Sequence, residues 1–83
     1  MTKSIYTILD EKAQNIGPLF VCENDDVAER LVRSSYVDPN CLPRRYPADF
    51  ALFRLGDIVS STGAIKACTV PVLVNKLDVI LEV

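Results

Sequence analysis

The sequence contains no histidine and no tryptophan, and only three glycines among its 83 residues. Without histidine, and with no C-x-x-C pair, it lacks the usual ligands of zinc and of most transition-metal sites. It also lacks the usual general base of nucleophilic catalysis. Its glycines stand alone, so they form neither a dinucleotide-binding nor a phosphate-binding loop. We therefore expect no catalytic residues, no metal site and no cofactor, and we predict that the protein is not an enzyme.

Cysteines and long apolar runs are also scarce. The three cysteines are widely spaced and odd in number, whereas a disulfide framework needs an even number. The longest apolar-rich stretch, residues 70–83, is interrupted by Pro71, Lys76 and Asp78 and is too short to span a bilayer. These features predict a soluble protein with reduced thiols and no membrane contact. The length predicts a single domain over residues 1–83.

The charges that are present are unevenly distributed along the chain, although the net charge is only −2. Residues 1–29 carry two bases and six acids, which is a net −4. Residues 30–54 carry five bases and two acids, a net +3, and residues 55–83 carry two bases and three acids, a net −1. All bases of the middle segment are arginines: Arg30, Arg33, Arg44, Arg45 and Arg54. This positive segment is the part of the chain best suited to an anionic partner.

Hydrophobic periodicity predicts two strands followed by one helix. Residues 4–9 alternate, with Ile5, Thr7 and Leu9 on one face, and residues 18–22 form a short apolar run that we expect to pair back on them. Asn24 is a good N-cap for a helix that ends near residue 35 or 36.

The charges of this helix have a structural explanation. Asp25 and Asp26 stand in its first turn, where the helix dipole favours acids, and this accounts for the pair better than acid–base catalysis does. The apolar stripe of the helix consists of Val27, Ala28, Leu31 and Val32. Two ion pairs are expected at i,i+4 spacing, Asp26–Arg30 and Glu29–Arg33.

The second half of the chain is predicted to be a proline-rich loop followed by strands. Residues 38–47 hold three prolines and are expected to form a loop. Residues 50–70 contain two β-patterned runs joined by a turn at Ser60–Gly63, and so predict a hairpin. The tail, residues 72–83, favours strand by its valine and isoleucine content, although Leu73, Leu77, Ile80 and Leu81 would also form a helical stripe.

The resulting fold class is α+β: a mainly antiparallel sheet in the order β-β-α-loop-β-β-β, with one helix packed on a face. A tail as apolar as this one should not form an unpaired edge of the sheet, because unpaired edge strands pair with other chains. We expect it either to be covered internally or to form a dimer contact.

Arginines next to tyrosines are the candidate functional residues. Guanidinium groups bind phosphates and aromatic rings stack under bases, and this combination is typical of proteins that bind single-stranded nucleic acid. Arg44, Arg45 and Tyr46 supply both kinds of side chain consecutively, and Tyr36 and Arg54 would lie nearby if the loop folds back on the hairpin. The alternative is structural: the helix arginines would pair with helix acids or be ordinary solvated side chains, and Tyr46 would pack on the core.

Two motifs carry a resemblance to a known family. The run Tyr46-Pro-Ala-Asp-Phe-Ala-Leu-Phe-Arg-Leu-Gly-Asp and the later Thr62-Gly-Ala-Ile resemble the small nonstructural protein of gokushovirus-type single-stranded DNA phages (Microviridae). The order of the opening elements is similar too, and the resemblance covers about residues 4–66. The matched positions are Tyr46, Pro47, Asp49, Phe50, Leu55, Gly56, Thr62 and Gly63.

The resemblance implies a non-virion protein of the host cytoplasm that binds DNA, at the step where replication switches to single-stranded genomes. Together with the arginines and tyrosines, it leads us to expect single-stranded DNA as a partner and a homodimer as the active form. The alternative is a protein-interaction module that engages a phage or host replication protein and has no affinity for nucleic acid. Net acidity and the apolar tail favour that alternative.

Overall fold

The computed structural model describes residues 1–82, and its centre is a four-stranded antiparallel sheet in the order β2-β1-β3-β4. The strands are β1 (Thr2–Asp10), β2 (Asn15–Cys22), β3 (Phe50–Val59) and β4 (Ile65–Lys76). The helices are α1 (Asp25–Ser35), α2 (Leu42–Arg45) and α3 (Leu77–Ile80), with a 3₁₀ turn at Pro47–Asp49. This arrangement confirms the predicted α+β class, the pairing of β1 with β2, and the hairpin formed by β3 and β4.

Helix α1 begins directly after its N-cap Asn24 and ends directly before its C-cap Tyr36. The Asn24 side chain accepts a hydrogen bond from the Val27 amide at 2.9 Å, and Tyr36 follows the last turn as the C-cap. Ala28 and Val32 of the apolar stripe are buried, whereas Leu31 is left exposed at its edge. The two expected i,i+4 ion pairs are wrong: within residues 1–82, neither brings its charged groups within 4.0 Å.

The core lies between the helices and one face of the sheet. Tyr6 and Ile8 of β1 point into it, so the predicted face of Ile5, Thr7 and Leu9 is the opposite one. The other buried members of the core are Cys22, Ala28, Val32, Phe50, Leu52, Leu77, Ile80 and Leu81.

The chain after β4 corrects the prediction of a fifth strand. Strand β4 extends to Lys76, and the chain then turns into α3 instead of a further strand. Leu77, Ile80 and Leu81 are buried, which is the helical stripe that the spacing also allowed. The tail is thus covered internally, because three side chains on one side of a helical turn fill the end of the core. Val83, part of the predicted strand, lies outside the described residues.

The proline-rich segment is also more ordered than predicted. It contains α2 and the 3₁₀ turn instead of a continuous loop. Pro43 and Pro47 stand in the first turns of these elements. Proline is tolerated there because no intrahelical partner exists for its missing amide. The same residues that indicated a loop therefore start two short helical turns.

Tyr6 joins the sheet to the start of α1. Its ring is fully buried and stacks on Phe20 with centroids 5.8 Å apart, and its hydroxyl donates to the Asp25 carboxylate at 2.7 Å. Arg54 Nε lies 4.0 Å from the same carboxylate, and Arg54 Nη1 lies 3.8 Å from the Asp57 carboxylate. Burial, and next the hydrogen bond to Asp25, raise the pKa of the Tyr6 phenol.

Glycine is required in β3 by a close approach of two backbones. A Cβ atom at Gly56 would lie 2.6 Å from the carbonyl oxygen of Lys66 and 2.9 Å from the Cα atom of Ala67. Just beyond this point β4 bulges, because Leu55 alone stands opposite residues 68–71. Gly63 in the turn has a positive φ of 78° and open space around it.

We predict that Gly56→Ala lowers the free energy of unfolding by about 2 kcal/mol or more, because neither clashing atom belongs to a movable side chain. Gly63→Ala is the matched comparison, and we expect it to cost only about 1 kcal/mol of backbone strain. Urea unfolding of both variants shows whether Gly56→Ala loses more stability than Gly63→Ala. Equal losses would contradict the close-approach argument.

A second prediction concerns alkaline pH. Because the pKa of Tyr6 is higher in the folded protein than its ordinary value of 10.0, the unfolded chain loses this proton first as the pH rises. The contribution of the neutral phenol is therefore complete below about pH 10 and is lost as the pH rises through the folded-state pKa. We expect Tyr6→Phe to cost about 1–2 kcal/mol at neutral pH and to flatten the alkaline fall in stability.

Urea unfolding at several pH values from neutral to strongly alkaline measures this effect. The control is Tyr46→Phe, which removes an exposed hydroxyl and should keep the alkaline fall of the parent protein. An alkaline fall of unchanged steepness in Tyr6→Phe would show that other groups cause it.

Candidate nucleic-acid interface

The C-terminal end of α1 brings four of the five predicted site residues together. Arg44 Nε donates to the backbone carbonyl oxygen of Tyr36 at 2.8 Å, which fastens α2 to the end of α1. A cation is favoured there, because the last carbonyls of a helix carry a partial negative charge. Arg33 stands in the same last turn of α1. We call the group Arg33, Tyr36, Arg44, Arg45 and Tyr46 the arginine end.

Arg45 and Tyr46 form its exposed part. The Arg45 guanidinium carbon lies 5.4 Å from the centroid of the Tyr46 ring, a cation–π contact. Tyr46 is 48% exposed and is not among the described residues that pack on the core, so the alternative in which it does so does not describe this structure. The Tyr46 amide donates to the carbonyl of Leu42 at 2.8 Å, and this bond holds the backbone while the side chain faces solvent.

The arginines of this region are not neutralised by nearby acids. Among residues 1–82, the cations with a carboxylate within 4.0 Å are Lys3, Arg54 and Lys76. Arg33, Arg44 and Arg45 are therefore outside any ion pair, as is Arg30 one turn earlier in α1. Within the described residues, the pairing of the helix arginines with helix acids is therefore absent, and these arginines are solvated. The guanidinium groups are thus available to an external anion.

Arg54 is separated from the arginine end, contrary to the prediction. The proline-rich segment folds back on the start of β3, near Phe50, but Arg54 lies beside the N-terminal end of α1. An eleven-residue helix is about 16 Å long. Arg54 contributes there to a shallow depression with Ser4, Glu23, Asn24, Asp25 and Asp26. It lies among the acids at this end of the molecule and does not extend the basic surface.

A groove that sequence reasoning missed lies next to the arginine end. Two adjoining concavities of about 230 and 240 Å³ share Ile8 and Tyr36 and run between α1, α2 and β2. The first is lined mainly by apolar side chains, including Phe20, and the second includes Leu42 and Phe50. Burial raises the pKa of the Tyr36 phenol. We call this feature the apolar groove. The one sequence feature that pointed to this groove is the alternation of side chains along β2, which turns Phe20 towards α1.

The positions that carry the family resemblance are mostly architectural. Pro47 and Asp49 belong to the 3₁₀ turn, and the Asp49 carbonyl accepts the Glu11 amide at 2.9 Å. Gly56 permits the close approach of β4, and the Thr62 hydroxyl oxygen accepts the Ala64 amide at 3.3 Å in the turn before it. The motif therefore marks mainly the scaffold; of its exposed positions, Thr62 and Gly63 form the turn, and Tyr46 belongs to the arginine end.

Comparisons with known proteins point to one family. A family model described as Phage ORF5 protein matches residues 3–80, which is nearly the whole chain. No curated protein and no solved structure matches the chain. Within residues 1–82, no helix has the length and apolar composition needed to cross a membrane. The family match confirms the phage-protein part of the resemblance.

Proposed function

Because the chain belongs to the Phage ORF5 protein family, we propose that it is a phage accessory protein that binds single-stranded DNA through its arginine end. In this proposal it serves a gokushovirus-type phage in the host cytoplasm, at the switch to single-strand production. The observation that carries the proposal is the exposed Tyr46 side chain under the Arg45 guanidinium, next to arginines that pair with no carboxylate in the described part of the chain.

The geometry favours a single strand over a duplex. Exposed rings bind the faces of bases, and these faces are accessible only when bases are unstacked. The apolar groove beside Tyr36 offers a second place for an unstacked base, next to the arginines that would bind the DNA phosphates. Helix α2 has only four residues and is too short to fill a major groove.

The charges of the molecule set the strength and direction of binding. The net charge of −2 predicts weak binding that falls steeply with salt. Asp25 and Asp26 lie at the start of α1, opposite the arginine end. A strand would therefore be repelled from one end of α1 and attracted to the other.

We predict that Arg45→Glu weakens binding of a fluorescent single-stranded oligonucleotide by about tenfold or more at low salt. It should also reduce the slope of log K against log salt by about 0.7, the value for one phosphate contact on a single strand. Tyr46→Ala should weaken binding about tenfold with little change in slope, because it removes stacking and not charge. Fluorescence anisotropy over a salt series measures both quantities.

The matched control is Lys66→Glu, which changes the net charge by the same amount. Lys66 pairs in register with Asp57, seven residues and so about 23 Å along β3 from Phe50, the residue of this strand that lies next to α2. Equal losses in Arg45→Glu and Lys66→Glu would mean that only net charge matters. No binding by the parent protein at tens of micromolar would overturn the proposal and leave the protein-interaction module as the better account.

A further inference from the structure

One face of the sheet is not covered by any element of residues 1–82. The helices occupy the Tyr6 side, and the opposite side, which we call the open face, carries apolar side chains from all four strands. Its members are Ile5, Leu9, Ile16, Leu19, Val21, Phe53, Leu55, Val70 and Leu73. Five of them are markedly exposed: Ile16, Leu19, Val21, Val70 and Leu73. So many exposed apolar side chains on one face are typical of an interaction surface.

The charged groups on this face already neutralise each other. Lys3 and Glu23, at one end, approach to 3.8 Å. Lys76 and Glu11, at the other end, form a hydrogen-bonded ion pair, which raises the pKa of Lys76. The open face therefore presents no net charge of either sign, and it would not repel an identical face. A partner recognised by charge would have nothing to complement here.

Both edges of the sheet are poorly suited to adding a strand. In β2 the ladder is interrupted at Gly17–Pro18, whose carbonyl oxygens both accept from the Thr7 hydroxyl, at 3.0 and 3.3 Å. In β4 the ladder is interrupted at residues 68–71, where Pro71 has no amide to donate. Bulges and prolines are common ways of blocking edge-to-edge pairing. Association through the sheet must then use its face.

We propose that the open face packs against the open face of a second copy of this chain, related by a two-fold axis. The shape supports this choice. Residues Thr7, Leu9, Phe53, Leu55 and Pro71 line a shallow hollow of about 310 Å³, together with Ile16 and Val70. Leu19 and Val21 project from the edge strand β2, where they pair in register with Thr7 and Ile5. A two-fold axis places the projecting side chains of each copy over the hollow of the other, so the face complements itself.

The area is sufficient for a stable dimer. Four strands about 4.8 Å apart and about eight residues long cover roughly 19 × 26 Å in projection, and the accessible surface of projecting side chains is larger than the projection. A standard interface buries about 800 Å² on each partner, which is about 15% of the 5311 Å² exposed by one chain. Two such sheets pack about 10 Å apart with their side chains interdigitated.

Light scattering after size exclusion, with sedimentation equilibrium up to about 0.1 mM, tests the proposal. The parent protein should have twice the 9.2 kDa mass of one chain. Leu19→Asp should raise the dimer dissociation constant at least about a hundredfold, because it buries an unpaired carboxylate in the interface. Val79→Asp is the matched control, since Val79 and Leu19 are both 58% exposed but Val79 lies on α3, across the molecule.

A second variant, Val70→Asp, tests the same interface in case Leu19→Asp does not fold. Val70 lies in the bulge of β4, outside the paired register, so Val70→Asp disturbs no ladder pair and should give a folded monomer. A parent protein that stays monomeric at about 0.1 mM, or a Val70→Asp variant that remains dimeric, would overturn the proposal. Arg45→Glu should leave the dimer intact, so failure of dimerisation and failure of DNA binding are separately visible.

Discussion

The buried Tyr6 is the contact on which the two layers of this protein depend. Its ring fills the centre of the sheet's covered face, and its hydroxyl donates to the first turn of α1 at Asp25. Because the Asn24 cap and this bond hold the same turn, the start of the helix is fixed in position and direction. The far end of α1, and with it the segment bound by Arg44, follows from the length of the helix. The arginine end thus owes its place to a contact made at the opposite end of α1.

This arrangement separates charge along one helix. The acids at the start of α1 interact with its dipole, with the Tyr6 hydroxyl and with Arg54. The arginines at its end lie near partial negative charge and form no ion pair with any acid of residues 1–82. A chain with a net charge of −2 thereby presents a locally basic surface. In the proposed dimer the open faces meet and the helices lie outside, so both arginine ends stay accessible. Two such ends would strengthen binding of one strand without any new contact, by the effective concentration that linkage provides.

Much of the fold could be predicted because the signals are local. Alternation in residues 4–9 and 50–55, the capping residue Asn24 and the turn at Gly63 each act over a few residues, and the structure confirms each of them. The tail was ambiguous because Leu77, Ile80 and Leu81 fit two periodicities. The choice depended on whether the end of the core needed filling, which is a property of the packed molecule. The i,i+4 ion pairs failed for a similar reason: weak surface pairs of about 0.3–0.5 kcal/mol do not determine where exposed side chains lie.

The sequence by itself determined the chemistry of the candidate site: a run of arginine and tyrosine after a helix, in a chain without histidine. The tyrosine of this run opens a motif that resembles a phage family. The tertiary structure decided which residues act together. It places Arg44 against Tyr36 and places Arg54 among acids, apart from the arginine end. It also forms the apolar groove and the open face. The physical reason is that local propensity sets the type of each element, but not which distant residues meet. That is set by the register of β1 on β3 and by the direction of α1. The register and the helix direction both depend on the burial of side chains from every element at once.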